Sequence, residues 1–227
     1  MLYALLAAVI SLLVFGPQLW VRLVMRRHGE TLPNMPGTGA ELARHLIKRF
    51  ELADISVEET APGTDHFDPG ARAVRLSPDN YHGKSITAIA VAAHEVGHAI
   101  QFHRAEPIFR LRSRYLPRAT ALRKLGILVL SGVPLIALLF KAPAAIGAMI
   151  ALGVILQLIG ALTYLIVLPE EWDASFNKAL PLLAGGYVPQ AYEPQLRQVL
   201  TAAALTYFAG ALADLLNIGR WLLVLRR

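Results

Sequence analysis

The 227-residue sequence contains no cysteine. This excludes disulfides, thiolate nucleophiles, iron–sulfur clusters and cysteine-bound zinc, so any metal site must use histidine and carboxylate ligands. Charged residues are also scarce: they make up 17% of the chain, whereas hydrophobic residues make up 55%. Such a balance is too apolar for a typical soluble domain. The composition therefore predicts a membrane protein.

Acidic residues are outnumbered, with 16 Asp and Glu against 22 Lys and Arg. Most of the cations lie between Arg22 and Lys124, beside hydrophobic stretches, a distribution typical of the cytoplasmic loops of membrane proteins. They do not alternate with aromatic side chains on a polar face. We therefore expect no nucleic-acid partner.

The first apolar segment, Leu2 to Trp20, is almost free of polar side chains. As a helix rising about 1.5 Å per residue, it nearly matches a hydrocarbon core of about 30 Å. A cleaved signal peptide is the alternative, but the cations Arg22, Arg26 and Arg27 follow the apolar run instead of preceding it. We expect residues 1–24 to form an uncleaved transmembrane anchor with its N-terminus outside.

Residues 25–118 are more polar and are expected to form a small α+β catalytic lobe on the cytoplasmic side of the membrane. A helix-like pattern covers Glu41 to Leu52, and strand-like alternation covers Ile55 to Glu59 and Ala73 to Leu76. The last segment, AVRL, is a candidate edge strand that could pair with the backbone of a substrate.

Two further apolar runs, Leu125 to Phe140 and Ala144 to Leu168, are separated by only three residues. This spacing predicts a transmembrane hairpin over residues 119–168. Residues 169–227 are expected to hold a short polar helix and a fourth apolar helix, Gln198 to Leu225, which either spans the membrane or packs elsewhere. The fold class predicted is a mainly α membrane protein with three to four hydrophobic helices and a small α+β lobe.

The strongest motif is His94-Glu95-Val96-Gly97-His98, which matches H-E-x-x-H. It lies within an apolar, alanine-rich segment for which Ser85 is a suitable N-cap, so a buried helix is expected for independent reasons. Residues four apart share one helix face, so His94 and His98 can bind one Zn²⁺ while Glu95 lies beside them as a general base. The motif predicts one catalytic zinc per chain.

A catalytic zinc also needs a third protein ligand and an open coordination position. Two membrane crossings after His98 return the chain to the same side of the membrane. The first acidic residues met there are Glu170 and Glu171, at what is expected to be the start of a helix. The residues alone leave either glutamate as the third ligand.

Five segments carry a resemblance to a known family: DHFDP, RLSPDNY, AVAAHEVGHAIQ, LPEEWDAS and AAALTYFAGAL, in this order. The sequence resembles the neutral zinc metallopeptidases of bacterial membranes (the YugP type), which are similar in layout to HtpX-type membrane proteases. The resemblance implies a zincin-like, gluzincin-like lobe in a multi-pass protein of the bacterial inner membrane. It also implies a Glu-aromatic-x-Ala motif at the third-ligand position, which selects Glu171 over Glu170.

The resemblance leaves the residues around the zinc less defined. HtpX-type relatives have an aspartate after that alanine, whereas this chain has Ser175, so a supporting carboxylate would come from elsewhere, for example Asp173. Tyr207 could donate a hydrogen bond to a transition state. Asp214, an ionisable residue in an apolar segment, is expected to have a partner or a function.

The resulting hypothesis is a membrane-embedded zinc metalloendopeptidase that hydrolyses peptide bonds of proteins or peptides with a zinc-activated water. Two alternatives are an inactive zinc-binding scaffold and a transporter with ionisable residues along a path. A scaffold does not need Glu95, and a transporter would place ionisable residues within several spans. The sequence does not predict the substrate's identity or the oligomeric state.

Overall fold

The computed structural model describes residues 2–140 and 142–215. These residues form a mainly helical fold with one small sheet, as predicted. The helices are α1 (Leu2–Arg27), α2 (Gly39–Arg49), α3 (Pro78–Tyr81), α4 (Ile86–His103), α5 (Arg110–Phe140), α6 (Pro143–Trp172), α7 (Leu180–Ala184) and α8 (Glu193–Leu215). The strands are β1 (Ser56–Glu59), β2 (His66–Asp68) and β3 (Ala73–Leu76), and a π-helical segment, Asp173–Ala179, lies between α6 and α7.

Three stretches of the described residues are long and apolar enough to cross a membrane: Val9–Arg27, Pro107–Phe140 and Pro143–Ala184. Three apolar membrane-length helices are therefore confirmed by length and composition. Of the predicted fourth helix, Gln198 to Leu225, the described part belongs to α8, and residues 216–225 lie outside the described residues.

The chain divides into two compact units. The first, which we call the hairpin unit, comprises Met1–Leu19, Leu111–Val167 and Tyr207–Arg227. The second, the site unit, comprises Trp20–Arg110 and Leu168–Thr206.

In the site unit, the sheet has the order β1-β3-β2. Strand β1 pairs with β3 in parallel, with Ser56 opposite Ala73, and β2 pairs with β3 antiparallel, with Phe67 opposite Val74. The hypothesis that AVRL is an edge strand is therefore wrong, since β3 is the central strand. Ala73, Val74 and Leu76 are fully buried, which explains their apolar character. Strand β2 was not predicted.

Helix α4 begins at the predicted N-cap, where the Ser85 hydroxyl accepts a hydrogen bond from the Ala88 N–H. All residues from Ile86 to Gln101 are buried, so this helix is the core of the site unit. The predicted buried helix is confirmed. Helix α2 begins slightly earlier than predicted because Thr38 and Glu41 form a capping box.

The π-helical segment lies directly against α4. A Cβ atom added to Gly97 would lie 2.8 Å from the main-chain oxygen of Ala174 and 3.2 Å from its Cα. Backbone atoms cannot move aside as a flexible side chain can, so only glycine fits at this point of the H-E-x-x-H motif. The close approach brings the residues after Trp172 next to the histidines.

In the hairpin unit, α5 and α6 approach closely at Gly126 and Gly153. A Cβ on Gly126 would lie 2.8 Å from the Gly153 main-chain oxygen. The predicted hairpin runs are helical, although α5 begins at Arg110, before the predicted Ala119, and α6 continues through Pro169 to Trp172. The outer surface of the hairpin is apolar, as Leu128 (68% exposed) and Leu138 (75% exposed) illustrate.

Candidate metal centre

His94, His98 and Glu171 lie together in the site unit and are buried. The two histidines project from α4, and Glu171 is in the last turn of α6, not at the start of a helix as expected from the sequence. The Nε2 atoms of the two histidines are 3.2 Å apart. Glu171 Oε2 lies 3.2 Å from His98 Nε2 and 3.3 Å from His94 Nε2. The three ligand atoms therefore form a nearly equilateral triangle.

This triangle fits zinc. In a tetrahedral site with bonds of about 2.0–2.1 Å, neighbouring ligand atoms are about 3.3–3.4 Å apart. Two imidazoles and one carboxylate are also a common donor set for catalytic zinc, with the fourth position left for water or substrate. The geometry and the chemistry of His94, His98 and Glu171 thus agree with a single metal ion.

Ser175, in the π-helical segment, fixes the orientation of His94. Its Oγ lies 2.9 Å from His94 Nδ1 and donates its hydrogen to the main-chain carbonyl of Leu200 at 3.1 Å. Because that carbonyl can only accept, the serine oxygen must accept from a protonated His94 Nδ1. The lone pair of His94 is therefore at Nε2, where a metal would bind.

Gln101 orients His98 in the same way. Its Nε2 donates to the Glu170 main-chain carbonyl at 3.1 Å and to Asp173 Oδ2 at 2.8 Å. Its Oε1, 2.9 Å from His98 Nδ1, must then accept from a protonated Nδ1. Both histidines therefore direct an Nε2 lone pair toward Glu171. Outer hydrogen bonds of this kind orient metal ligands and raise their basicity.

Asp173 supports Gln101 from one step further out. Besides its hydrogen bond to Gln101, its carboxylate forms an ion pair with Lys178, whose Nζ also lies 2.9 Å from Glu106 Oε2. Asp173 is thus linked to His98 through the amide of Gln101.

Glu95 is held by the unpredicted strand β2. Its Oε2 accepts a hydrogen bond of 2.8 Å from the main-chain N–H of Phe67, and the contact is buried. The other carboxylate oxygen, Oε1, takes no part in this hydrogen bond. The strand therefore has a direct part in the geometry of the site.

The next residue of β2, Asp68, belongs to an ionic cluster on the sheet. Hydrogen bonds from the main-chain N–H groups of Ala71 and Gly70, together with the Arg75 guanidinium at 2.6 Å, hold the pKa of the Asp68 carboxyl below its usual range. Arg75 also pairs with Glu58 of β1 at 3.1 Å. The cluster links the three strands through their side chains.

Comparison with known proteins places the chain among peptidases. Residues 3–226 match the model of a family described as "Putative neutral zinc metallopeptidase". The chain belongs to this family. It is a zinc-dependent metallopeptidase, a class of hydrolase, and the resemblance found in the sequence is confirmed.

A relative supports the same assignment for this metallopeptidase. It is 35% identical over 215 residues to "Putative membrane protease YugP" of Bacillus subtilis (strain 168), covering 93% of this chain and 91% of the relative. No solved structure matches the chain.

Two further candidate residues of the metallopeptidase are Tyr207 and Asp214. Tyr207 belongs to the hairpin unit, where its hydroxyl accepts a hydrogen bond from Arg112 at 3.3 Å and its ring stacks on that of Tyr164. Its predicted hydrogen bond to a transition state stays a prediction. The side chain of Asp214 lies outside the described residues.

Sequence reasoning missed Gln101, Ser175 and the main-chain N–H of Phe67. Gln101 could have been found, because it follows His98 by three residues and so lies on the same face of a helix already predicted. Ser175 was noticed only as a departure from the aspartate of HtpX-type relatives. In the structure it makes the hydrogen bond to His94 itself.

Proposed function

We propose that this metallopeptidase is a membrane-embedded endopeptidase that binds one zinc per chain through His94, His98 and Glu171. The observation that carries the proposal is the triangle of two Nε2 atoms and one carboxylate oxygen, with edges of 3.2–3.3 Å. Its three members are buried and their imidazoles are oriented by Ser175 and Gln101. An inactive scaffold would have no need of the neighbouring Glu95.

Bound zinc would supply Lewis-acid polarisation of the scissile carbonyl and of a water molecule. Glu95 is the general base: its Oε1 takes the proton of the attacking water and later delivers it to the leaving amine. The Phe67 N–H keeps Oε2 occupied, so the carboxylate presents one oxygen in a fixed direction. Restricting the base in this way lowers the cost of reaching the reactive arrangement.

The substrates proposed are proteins or peptides that reach the membrane surface. We place the enzyme in the bacterial inner membrane as a multi-pass protein, with residues 25–118 facing the cytoplasm. The support is the three apolar helices and the cations that follow the first of them, Arg22, Arg26 and Arg27. Tyr207 and Asp214 remain candidates for transition-state or supporting roles.

The test compares the parent with Glu95→Gln, purified in detergent, by zinc content and by cleavage of casein. Glutamine keeps the shape and can still accept the Phe67 hydrogen bond, but it cannot take a proton. We expect about one zinc per chain in both proteins. We also expect a loss of at least about 100-fold in turnover by the variant.

Glu59→Gln is the matched control, because Glu59 lies on β1 and is half exposed. It should keep both zinc and turnover. A fully active Glu95→Gln would contradict the role of the base, and absence of zinc from the parent would contradict the metal centre. Zinc without cleavage by the parent would favour the scaffold.

A further inference from the structure

The first half of α5 is strongly basic and is followed directly by an apolar run. Between Pro107 and Leu168 the chain has seven Lys and Arg and no Asp or Glu. Five of the seven lie from Arg112 to Lys124, in the part of α5 that belongs to the hairpin unit. These five cations divide between two faces of the helix.

Arg112 and Arg123 lie on one face, since eleven residues make about three turns. Arg112 is 5.0 Å from the ring centre of Tyr207, and Arg123 is 5.8 Å from that of Tyr164. Each arginine also donates a hydrogen bond of 3.3 Å to the hydroxyl of its tyrosine. The two rings stack at 6.3 Å and 13°. This arginine–tyrosine stack joins α5 to α6 and α8.

Arg114 and Arg118 lie on the opposite side of α5, with Lys124 at their flank. We call these three residues the basic face. All three are exposed, and they make no ion pair within the described part of the chain. Arg114 and Arg118 each lie 5.8 Å from the ring centre of Tyr115, which is half-buried between them. The stack therefore fixes which side of the helix presents unpaired charge.

The basic face lies next to the apolar run of α5, at the height expected for a membrane surface. The apolar run Leu125 to Phe140 begins at the residue after Lys124, and Leu125 and Leu128 are 48% and 68% exposed. At about 1.5 Å per residue, Arg118 lies about 10 Å and Arg114 about 16 Å from that boundary. The headgroup layer is about 5–8 Å deep on each side of the hydrocarbon. An extended arginine side chain can reach this layer from Arg118. Arg114 lies about one turn further out, where the attraction of an anionic surface still acts over about a Debye length.

We propose that the basic face binds the phosphate of anionic phospholipid headgroups in the membrane that the hairpin unit crosses. Charge complementarity supports an anionic phospholipid as the ligand. Three cations without an ion pair lie beside an apolar helix surface long enough to cross a membrane, and a tyrosine lies between two of them. The inference rests on α5 crossing a membrane and goes beyond peptide hydrolysis. It makes the hairpin unit a selective lipid-binding element.

The test uses the full chain in detergent micelles, titrated with phosphatidylglycerol or phosphatidylcholine, with bound lipid counted by native mass spectrometry. The variant is Arg114→Gln/Arg118→Gln/Lys124→Gln. Each interfacial cation contributes about fivefold to anionic-lipid binding, so the triple variant should bind phosphatidylglycerol about 100-fold more weakly. Binding of phosphatidylcholine should not change.

The matched control removes three exposed cations of the site unit instead, as Lys48→Gln/Arg49→Gln/Lys84→Gln. We expect it to bind phosphatidylglycerol like the parent. The double variant Arg114→Lys/Arg118→Lys keeps the charge and should also retain binding. Binding of phosphatidylglycerol by the parent should weaken as the salt concentration rises from about 50 to about 500 mM, because salt screens exposed charges.

An equal loss of phosphatidylglycerol binding in both triple variants, or no loss in either, would overturn the proposal. So would a salt-independent affinity of the parent, which decides the question even if the triple variant does not fold. Inorganic phosphate that competes fully at millimolar concentration would show a free-anion site instead of a lipid site. Zinc content and casein cleavage, measured on the same samples, test the metal centre separately, since lipid binding does not require either.

Discussion

Two buried glutamines, one in each unit, differ in whether their side-chain amides are hydrogen-bonded. Gln101, in the site unit, is 0% exposed, and its amide is hydrogen-bonded at both ends, to His98 and to Asp173 and the Glu170 carbonyl. Gln157, in the hairpin unit, is 1% exposed, and neither amide atom has a hydrogen-bond partner among the described residues. Both lie on predominantly apolar helices.

The two amides therefore differ in role: that of Gln101 orients a neighbouring side chain, whereas that of Gln157 is only packed. A buried amide without partners costs free energy, whereas one that completes a network fixes the direction of its neighbours. At Gln101 the network orients a metal-ligand candidate. At Gln157 the chain tolerates the cost beside the close contact of α5 and α6, where a Cβ on Gly126 would lie 2.9 Å from Gln157 Cγ. The comparison can be tested in four ways, from the largest effect to the smallest.

The largest effect is expected for Glu171→Gln, which removes a charged ligand from the triangle. Zinc affinity should fall by more than the roughly 100-fold that accompanies loss of an outer hydrogen-bond partner. Competition with a zinc chelator measures it. Glu170→Gln is the control, because the Glu170 carboxylate lies 3.6 Å from His98 Nδ1, the ring nitrogen that is directed to Gln101 and not to the metal position. Comparable losses in both variants would contradict the assignment of Glu171.

The glutamines themselves give the second prediction. Gln101→Met should lower zinc affinity by about 10-fold to 100-fold, because His98 loses the acceptor that sets its tautomer. Gln157→Met should leave zinc affinity unchanged and raise the free energy of unfolding by about 1 kcal/mol, because an unpaired amide is removed at similar volume. Chelator competition and thermal unfolding in detergent measure the two effects. If both variants behaved alike, the comparison between the units would fail.

Gly97 provides the third prediction. Gly97→Ala places a methyl group against the Ala174 backbone and should cost about 1–3 kcal/mol of stability. Gly147→Ala, in α6, is the control, since nothing lies within 4 Å of a Cβ at that position, and there alanine should be neutral or stabilising. Thermal midpoints of the two variants measure the difference. Equal midpoints would mean that α4 and the π-helical segment can separate at little cost.

The smallest effect concerns pH and Asp68. Because the folded-state pKa of this carboxyl is lowered, its contribution to stability is present above the unfolded pKa of about 3.9 and is lost as the pH falls through the folded pKa. The stability difference between the parent and Asp68→Asn should therefore be full at neutral pH and shrink below about pH 4. Unfolding of both proteins across this range measures it. A difference that does not vary with pH would show that folding does not lower the pKa of the Asp68 carboxyl.

Sequence patterns within one helix were enough to predict α4 and the two histidines that it carries. Ser85, the alanine-rich pattern and the four-residue spacing of His94 and His98 specify α4 and its metal-facing side within one helix. Glu171 lies 73 residues from His98, and only the family resemblance separated it from Glu170. No periodicity contains that information.

The parts that were missed depend on contacts distant in sequence. Strand β2 has only three residues, too few for alternation to be recognised, and its effect on Glu95 comes from a main-chain atom 28 residues away. The hairpin was predicted to end at Leu168 because the apolar run stops there and a polar segment begins at Pro169. In the structure α6 continues through Pro169 and so carries Glu171 to the histidines.

Three of the groups that hold this site are main-chain atoms: the N–H of Phe67, the carbonyl of Glu170 and the carbonyl of Leu200. Side-chain substitutions at these positions leave such atoms in place as long as the backbone keeps its path. At residue 67, proline alone among the standard residues would remove the donor. The support of the metal centre is thus largely insensitive to mutation at these positions, and sequence variability there would not argue against their role.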